Sequence, residues 1–109
     1  MSDGAILIRR EGGVATLSLN RPASRNLLDM EMALALRAGL DEVAIDASVR
    51  AVVLQAAGKH FMVGGDVNWF DGLLDAAPTE RRTQLNRMID EVHGAIGRIR
   101  RMDKPVLAA

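Results

Sequence analysis

Residues 51–68 read Ala51-Val52-Val53-Leu54-Gln55-Ala56-Ala57-Gly58-Lys59-His60-Phe61-Met62-Val63-Gly64-Gly65-Asp66-Val67-Asn68. The first six form an apolar run of strand length, the pattern of a strand buried on both faces of a sheet. A loop comes next, setting two glycines and an acid between apolar pieces. A glycine there can adopt positive φ, and it leaves its backbone N–H open to an approaching ligand oxygen. On the residues alone, the stretch supports a tight turn with Asp66 capping a helix that starts at Val67. The second reading is a backbone donor aimed at an oxygen that gains negative charge during a reaction.

The elements around this stretch alternate. Ala5 to Arg9 and Val14 to Leu19 are short β-like runs, and Gly12-Gly13 supplies the turn of a hairpin. Asn20-Arg21-Pro22 ends the second strand, because proline has no N–H for the ladder and biases Arg21 to extended backbone. From Asp29 to Ala44 the pattern is helical, with Asp29 as cap and Ala33, Leu36, Leu40 and Val43 on one face. Strand, helix, strand implies a right-handed crossover onto a largely buried sheet. Thr79 to Met102 reads as a long helix capped by Thr79, with Leu85, Met88, Ile89, Val92, Ile96 and Ile99 in one stripe. Gly94 and Gly97 interrupt it and allow close packing. Lys104-Pro105 ends the helix, and Val106 to Ala109 begins a further strand.

Composition narrows the functional classes. A chain of 109 residues, 49% hydrophobic, fits one domain with one core, here residues 1–109. Fourteen basic and fourteen acidic side chains cancel, which argues against binding nucleic acid or an anionic membrane through bulk charge. The absence of cysteine removes disulfides, thiolate metal sites and Cys nucleophiles. His60 and His93 lack partners at ligand spacing, so no metal site is expected. Ser18, Ser24 and Ser48 lack the context of a nucleophile elbow. The N-terminus lacks the basic start and apolar run of a leader, so the expected location is the cytoplasm.

Across nearly the whole chain the sequence resembles the enoyl-CoA hydratase/isomerase family, also called the crotonase family. The resemblance is carried by Val14-Ala15-Thr16-Leu17-Ser18-Leu19-Asn20-Arg21-Pro22, by Arg25-Asn26-Leu27-Leu28 and by Val52-Val53-Leu54. It continues through Lys59-His60-Phe61-Met62-Val63-Gly64-Gly65-Asp66-Val67 and Lys104-Pro105-Val106-Leu107-Ala108-Ala109. It implies an α/β fold, a spiral of ββα turns, incomplete here at the C-terminus. It also implies an acyl-CoA thioester whose carbonyl oxygen meets two backbone N–H groups, stabilising an enolate. One of those donors falls on Gly65, and Gly64, Gly65, Asp66, Val67 and Asn68 would lie along the substrate.

By the same resemblance, the loop Pro22-Ala23-Ser24-Arg25-Asn26 borders the adenine and phosphates of CoA, giving Ala23, Ser24 and Arg25 as contacts. The guanidinium of Arg25 suits a phosphate, and Lys59 is a further candidate. The structural alternative is that Asn20, Pro22 and Asn26 shape a strand-to-helix turn and Lys59 is a solvated loop lysine. Coenzyme A enters as part of the substrate and no separate cofactor is expected. Full-length family members are usually homotrimers or dimers of trimers. The family's second donor and its catalytic glutamates fall on elements beyond Ala109, and Glu31, Glu42, Glu80 and Glu91 do not match them. Two readings therefore stand: part of an acyl-CoA-processing enzyme, inactive by itself, or a non-catalytic fragment that binds CoA weakly or pairs with a partner chain. Asp41, Glu42 and Asp46 read as a solvated polar face, and Trp69 with Phe70 as packing or acyl-pocket residues.

Overall fold

The structure, a computed structural model, describes residues 4–109. Residues 1–3, part of the stretch read for a leader, lie outside the described residues. Gly12 and Gly13 take φ of 59° and 84°, which reverses the chain between β1 (Ile6–Glu11) and β2 (Val14–Leu19). The hairpin read from the glycine pair is therefore built on backbone that other residues adopt only with strain. β1 starts one residue later than the sequence pattern implies and runs two further, pairing antiparallel from Ile6↔Leu19 to Glu11↔Val14.

After a single 3-10 turn at Pro22–Ser24 comes α1 (Met30–Ile45), whose N-terminus is capped as expected: the Asp29 carboxylate accepts from Met32 N at 2.8 Å. β3 (Ala51–Ala56) then lies parallel to β2 in the register Val14↔Ala51 to Leu19↔Ala56. Two helices come next, α2 (Val67–Leu73) and α3 (Pro78–Arg101), before β4 (Val106–Ala108) adds parallel to β3. The sheet order is β1-β2-β3-β4, a mixed α/β arrangement. Thr79 does not cap α3. Ala77 holds the cap position with Pro78 at the first turn, where a missing N–H costs nothing, and Thr79 accepts through its carbonyl from Thr83 Oγ1 at 2.9 Å.

The core lies on one face of the sheet. Ala15, Leu17 and Val52 from the strands meet Leu40 and Val43 of α1 and Ala95 of α3, all buried. Full burial of each larger aliphatic side chain is worth about 1.5–3 kcal/mol, so this cluster dominates the fold's stability. The expectation that β3 is buried on both faces is not met. Val52 is fully buried, but Gln55 on the other face is half exposed and donates to Ser18 Oγ at 2.9 Å. The reason is that α1 and α3 both pack on the Val52 side, leaving Thr16, Ser18 and Gln55 beside an open depression.

The acids expected on a solvated face are ion-paired instead. Arg10 of β1 reaches Glu42 at 2.6 Å and Asp46 at 2.9 Å, and Arg98 of α3 meets Asp41 at 2.8 Å. These pairs tie both strand and helix to α1. The long-helix stripe also divides: Ile99 joins the core, whereas Ile89 and Ile96 are 49% and 48% exposed. Gly94 and Gly97 accommodate arginines rather than helix backbones, since a Cβ would fall 2.5 Å from the Arg37 guanidinium and 2.6 Å from that of Arg101. Among the described residues no helix is long and apolar enough to cross a membrane.

Candidate functional site

The loop between β3 and α2 is held by a buried side chain from another loop. Asn26 has no exposed surface and makes three hydrogen bonds. Its Oδ1 accepts from Arg21 N at 2.7 Å, and its Nδ2 donates to Ala57 O at 3.0 Å and His60 O at 2.9 Å. One amide thereby fixes the 22–28 loop against the 57–60 loop. Gly58 reinforces the contact, because a Cβ there would lie 2.9 Å from Pro22 Cβ. The structural reading of Asn26 is thus the one its geometry supports.

The two glycines of the central stretch serve different purposes. Gly64 has φ of 122° with open space where a Cβ would be, so its requirement is conformational. Gly65 is confined by a neighbour: a Cβ would lie 2.8 Å from Phe70 Cε2. Gly65 also forms a one-residue parallel bridge with Leu28. Leu28 N donates to Gly64 O at 2.8 Å and Asp66 N donates to Leu28 O at 2.9 Å. That pattern uses the groups flanking Gly65 and turns its own N–H the other way, where it meets no acceptor among the described residues.

Asp66 accepts from Asn68 N at 2.9 Å and Trp69 N at 3.4 Å, so its carboxylate caps α2 as the local pattern implies. Val67 and Asn68 are exposed on the first turn of that helix. The cap sets the direction of α2 and hence the place of Phe70. Trp69 and Phe70 meet edge to face, ring centroids 5.2 Å apart at 77°. Phe70 then forms one wall of an apolar cavity of about 320 Å³, completed by Leu28, Leu85, Met88, Ile89 and Val92. The donor candidate and the cavity are therefore separated by one aromatic ring.

Of the remaining sequence-derived candidates, Ala23, Ser24 and Arg25 are exposed at the tip of the 22–28 loop. Arg25 has φ of 57° and its N–H donates to Pro22 O at 3.0 Å, closing the single turn at the loop tip. Lys59 is exposed on the loop that Asn26 holds against this tip. Neither Arg25 nor Lys59 has a side-chain hydrogen bond or ion pair to a described residue. Glu31, Glu42 and Glu91 are committed to Arg21, Arg10 and Arg37, and Glu80 accepts from Gln84 Nε2 at 3.0 Å. Among the described residues there is no cluster of three or more His, Cys, Asp or Glu that could hold a metal ion. Nothing local in the sequence signals the hydrogen bonds of Lys104 to the end of α1, which pin the segment leading into β4.

The fold and this loop pair define a class. The family model described as enoyl-CoA hydratase/isomerase matches residues 14–109, and the chain belongs to that family. It is 34% identical over 105 residues to the 1,2-epoxyphenylacetyl-CoA isomerase of Escherichia coli, covering 95% of this chain and 38% of that protein. It is 29% identical over 102 residues to the trans-2-decenoyl-acyl-carrier-protein isomerase of Streptococcus mutans, covering 94% and 38%. The crystal structure of an enoyl-CoA hydratase from Mycobacterium smegmatis superposes with a TM-score of 0.81 at 36% identity, over 97% of this chain and 39% of that one. The crotonase-like α/β fold is thereby established, and the chain spans 38% of the length of the two named relatives.

Proposed function

We propose that this chain carries the thioester-binding half of an acyl-CoA-processing site of the enoyl-CoA hydratase/isomerase type. The observation that carries the proposal is the Leu28–Gly65 bridge, which leaves the Gly65 N–H unengaged beside an apolar cavity. A thioester carbonyl oxygen placed on that N–H gains charge as an enolate forms. One donor fixed at that position lowers the barrier by about 3 kcal/mol. The acyl group enters the cavity behind Phe70, along Gly64 to Asn68, while Ala23, Ser24, Arg25 and Lys59 border the nucleotide end of CoA. The two loops carrying those contacts are the ones Asn26 joins.

General acid and base groups come from outside these 109 residues. Every glutamate weighed for that role is engaged elsewhere, and the chain alone is expected to add no water to crotonyl-CoA. The test is therefore a binding one. Titrating crotonyl-CoA into uniformly 15N-labelled chain shifts the Gly65 amide resonance, and the Gly65→Pro variant, which lacks the donor, binds more weakly. Water addition by the isolated chain that survived Gly65→Pro would overturn both the donor assignment and the missing-base argument. The non-catalytic reading is favoured by one feature, the free edge of β4 with Leu107 59% exposed. On that reading CoA binds without any response at Gly65.

A further inference from the structure

Two residues that line the apolar cavity behind α2 also meet Gly65, and they differ in how firmly they are held. Leu28 is the first: its backbone pairs with the Gly64–Asp66 segment, and its side chain packs against the buried Leu19 and Met32 cluster. Phe70 is the second. A Cβ built on Gly65 would lie 2.8 Å from Phe70 Cε2, 3.4 Å from Cζ and 3.9 Å from Cδ2, so the outer edge of the ring rests on this glycine. The ring belongs to α2, where Trp69 and Leu73 are half-buried and the other five residues are exposed. Gly72, inside the same helix, faces open space, and an interior glycine weakens a helix. The Asp66 cap fixes the first turn, and Trp69 meets the Phe70 ring on one side. With 39% of Phe70 exposed, the ring has room to turn on the other. Leu28 is therefore a fixed post beside Gly65, and Phe70 is a movable one.

We propose that Phe70 discriminates among acyl chain lengths at this site, by closing the way from the Gly65 N–H to the cavity until a chain displaces its ring. The inference rests on the acyl-thioester reading above and adds to it the residue that selects the acyl group. An acetyl group carries one methyl beyond the carbonyl carbon and leaves the ring where it is. An octanoyl group carries a chain that reaches Leu85, Met88 and Val92 only past the ring edge. Burying that chain is favourable, methylene by methylene. Displacing the ring forfeits its edge-to-face contact with Trp69, a cost that falls on long chains alone. A side chain without Cε and Cζ imposes no such threshold. Leucine at this position ends at Cδ, the ring atom that stands at ordinary contact distance from a Gly65 Cβ.

The experiment compares acetyl-CoA, octanoyl-CoA and CoA alone. Affinities come from calorimetry, and ring movement is followed by the fluorescence of Trp69, the single tryptophan, which touches Phe70. In the unaltered chain octanoyl-CoA is expected to shift the Trp69 emission, and acetyl-CoA to leave it where CoA alone does. Phe70→Leu, which keeps an apolar side chain at an exposed position, should raise the octanoyl-to-acetyl affinity ratio about fivefold. A fixed wall would give the opposite, since a shorter side chain touches the acyl chain less, so a ratio that falls or stays the same overturns the proposal. A Trp69 response of equal size to the two thioesters overturns it as well, and that measurement needs no variant. Either result leaves the acyl-thioester reading standing where the Gly65 amide responds to both thioesters. No binding of any of the three, with the Gly65 amide unmoved, overturns both.

Discussion

Leu28 and Gly65 meet in a parallel bridge one residue long, and that bridge decides which backbone groups of the central loop are free. Leu28 offers its N–H to Gly64 and its carbonyl to Asp66, at 2.8 and 2.9 Å. Alternation along an extended backbone then turns the Gly65 N–H to the opposite side. The free donor is a consequence of strand-like pairing rather than of flexibility. The same contact brings Leu28 to the wall of the apolar cavity, so donor and cavity are positioned by one residue.

Replacing Gly65 by alanine tests the closeness of Phe70. A Cβ at 2.8 Å from Cε2 is inside any real contact, so the ring must rotate away. Phe70 is 39% exposed, which gives it room and keeps the cost modest, about 0.5–1.5 kcal/mol. The Trp69–Phe70 edge-to-face contact is lost with the rotation. Near-ultraviolet circular dichroism should therefore lose intensity while helix content stays constant. An unchanged aromatic spectrum would mean the ring does not rest on Gly65.

Asn26 is the second test of the site's framework. Asn26→Ala removes the hydrogen bonds to Ala57 O, His60 O and Arg21 N, and it forces alanine to φ of 55°. The expected loss is about 3–4 kcal/mol, measured by urea unfolding. Asn26→Gly removes the same hydrogen bonds but tolerates that φ, and should be about 1 kcal/mol less damaging. Equal losses would show that the left-handed backbone carries no strain for alanine here.

The parts of this fold that sequence reveals are those whose causes are local. Asp29 and Asp66 cap helices two or three residues away, so a carboxylate before a helical pattern is sufficient to place both. The Gly12-Gly13 turn is equally local. Asn26 acts on residues 31 and 34 positions away, and Arg10 on acids 32 and 36 away, distances at which only the assembled register brings groups together. The stripe on α3 shows a different limit. Periodicity locates an apolar face but not its division between the side that meets α1 and the side that lines the cavity. The donor role proposed for Gly65 is suggested in the sequence only through the family resemblance, because a glycine pair before an acid also describes an ordinary turn.

Acid stability should carry the signature of Asp46. Hydrogen bonds from the Ser48 hydroxyl and N–H, with a further one from Arg10, lower its carboxyl from 3.8 to about 2. The folded value lies below the unfolded one, so this contribution is present above pH 3.8 and is lost as pH falls toward about 2. Asp46→Asn should lower the urea midpoint near neutrality, and the gap to the unaltered chain should close through that window. A gap that stays constant down to pH 2 would locate its cause elsewhere than in the carboxylate charge.

Lys104 links the end of α1 to the start of β4, and its removal gives the sharpest stability test. Its ammonium donates to Val43 O at 2.7 Å and Asp46 O at 2.6 Å, carbonyls at the C-terminal end of α1 that no further turn of helix satisfies. A cation at that end also complements the helix dipole. The next residue, Pro105, accepts from Val52 N at 2.9 Å, so the lysine anchors the segment that brings β4 alongside β3. Lys104→Met keeps the half-buried stem and deletes both hydrogen bonds, and should cost about 2–3 kcal/mol in urea unfolding. Amide exchange should quicken in β4 and at Val52 before it does in the β1–β2 hairpin, which depends on none of these contacts. Uniform acceleration across all four strands would instead mean that Lys104 stabilises only the fold as a whole.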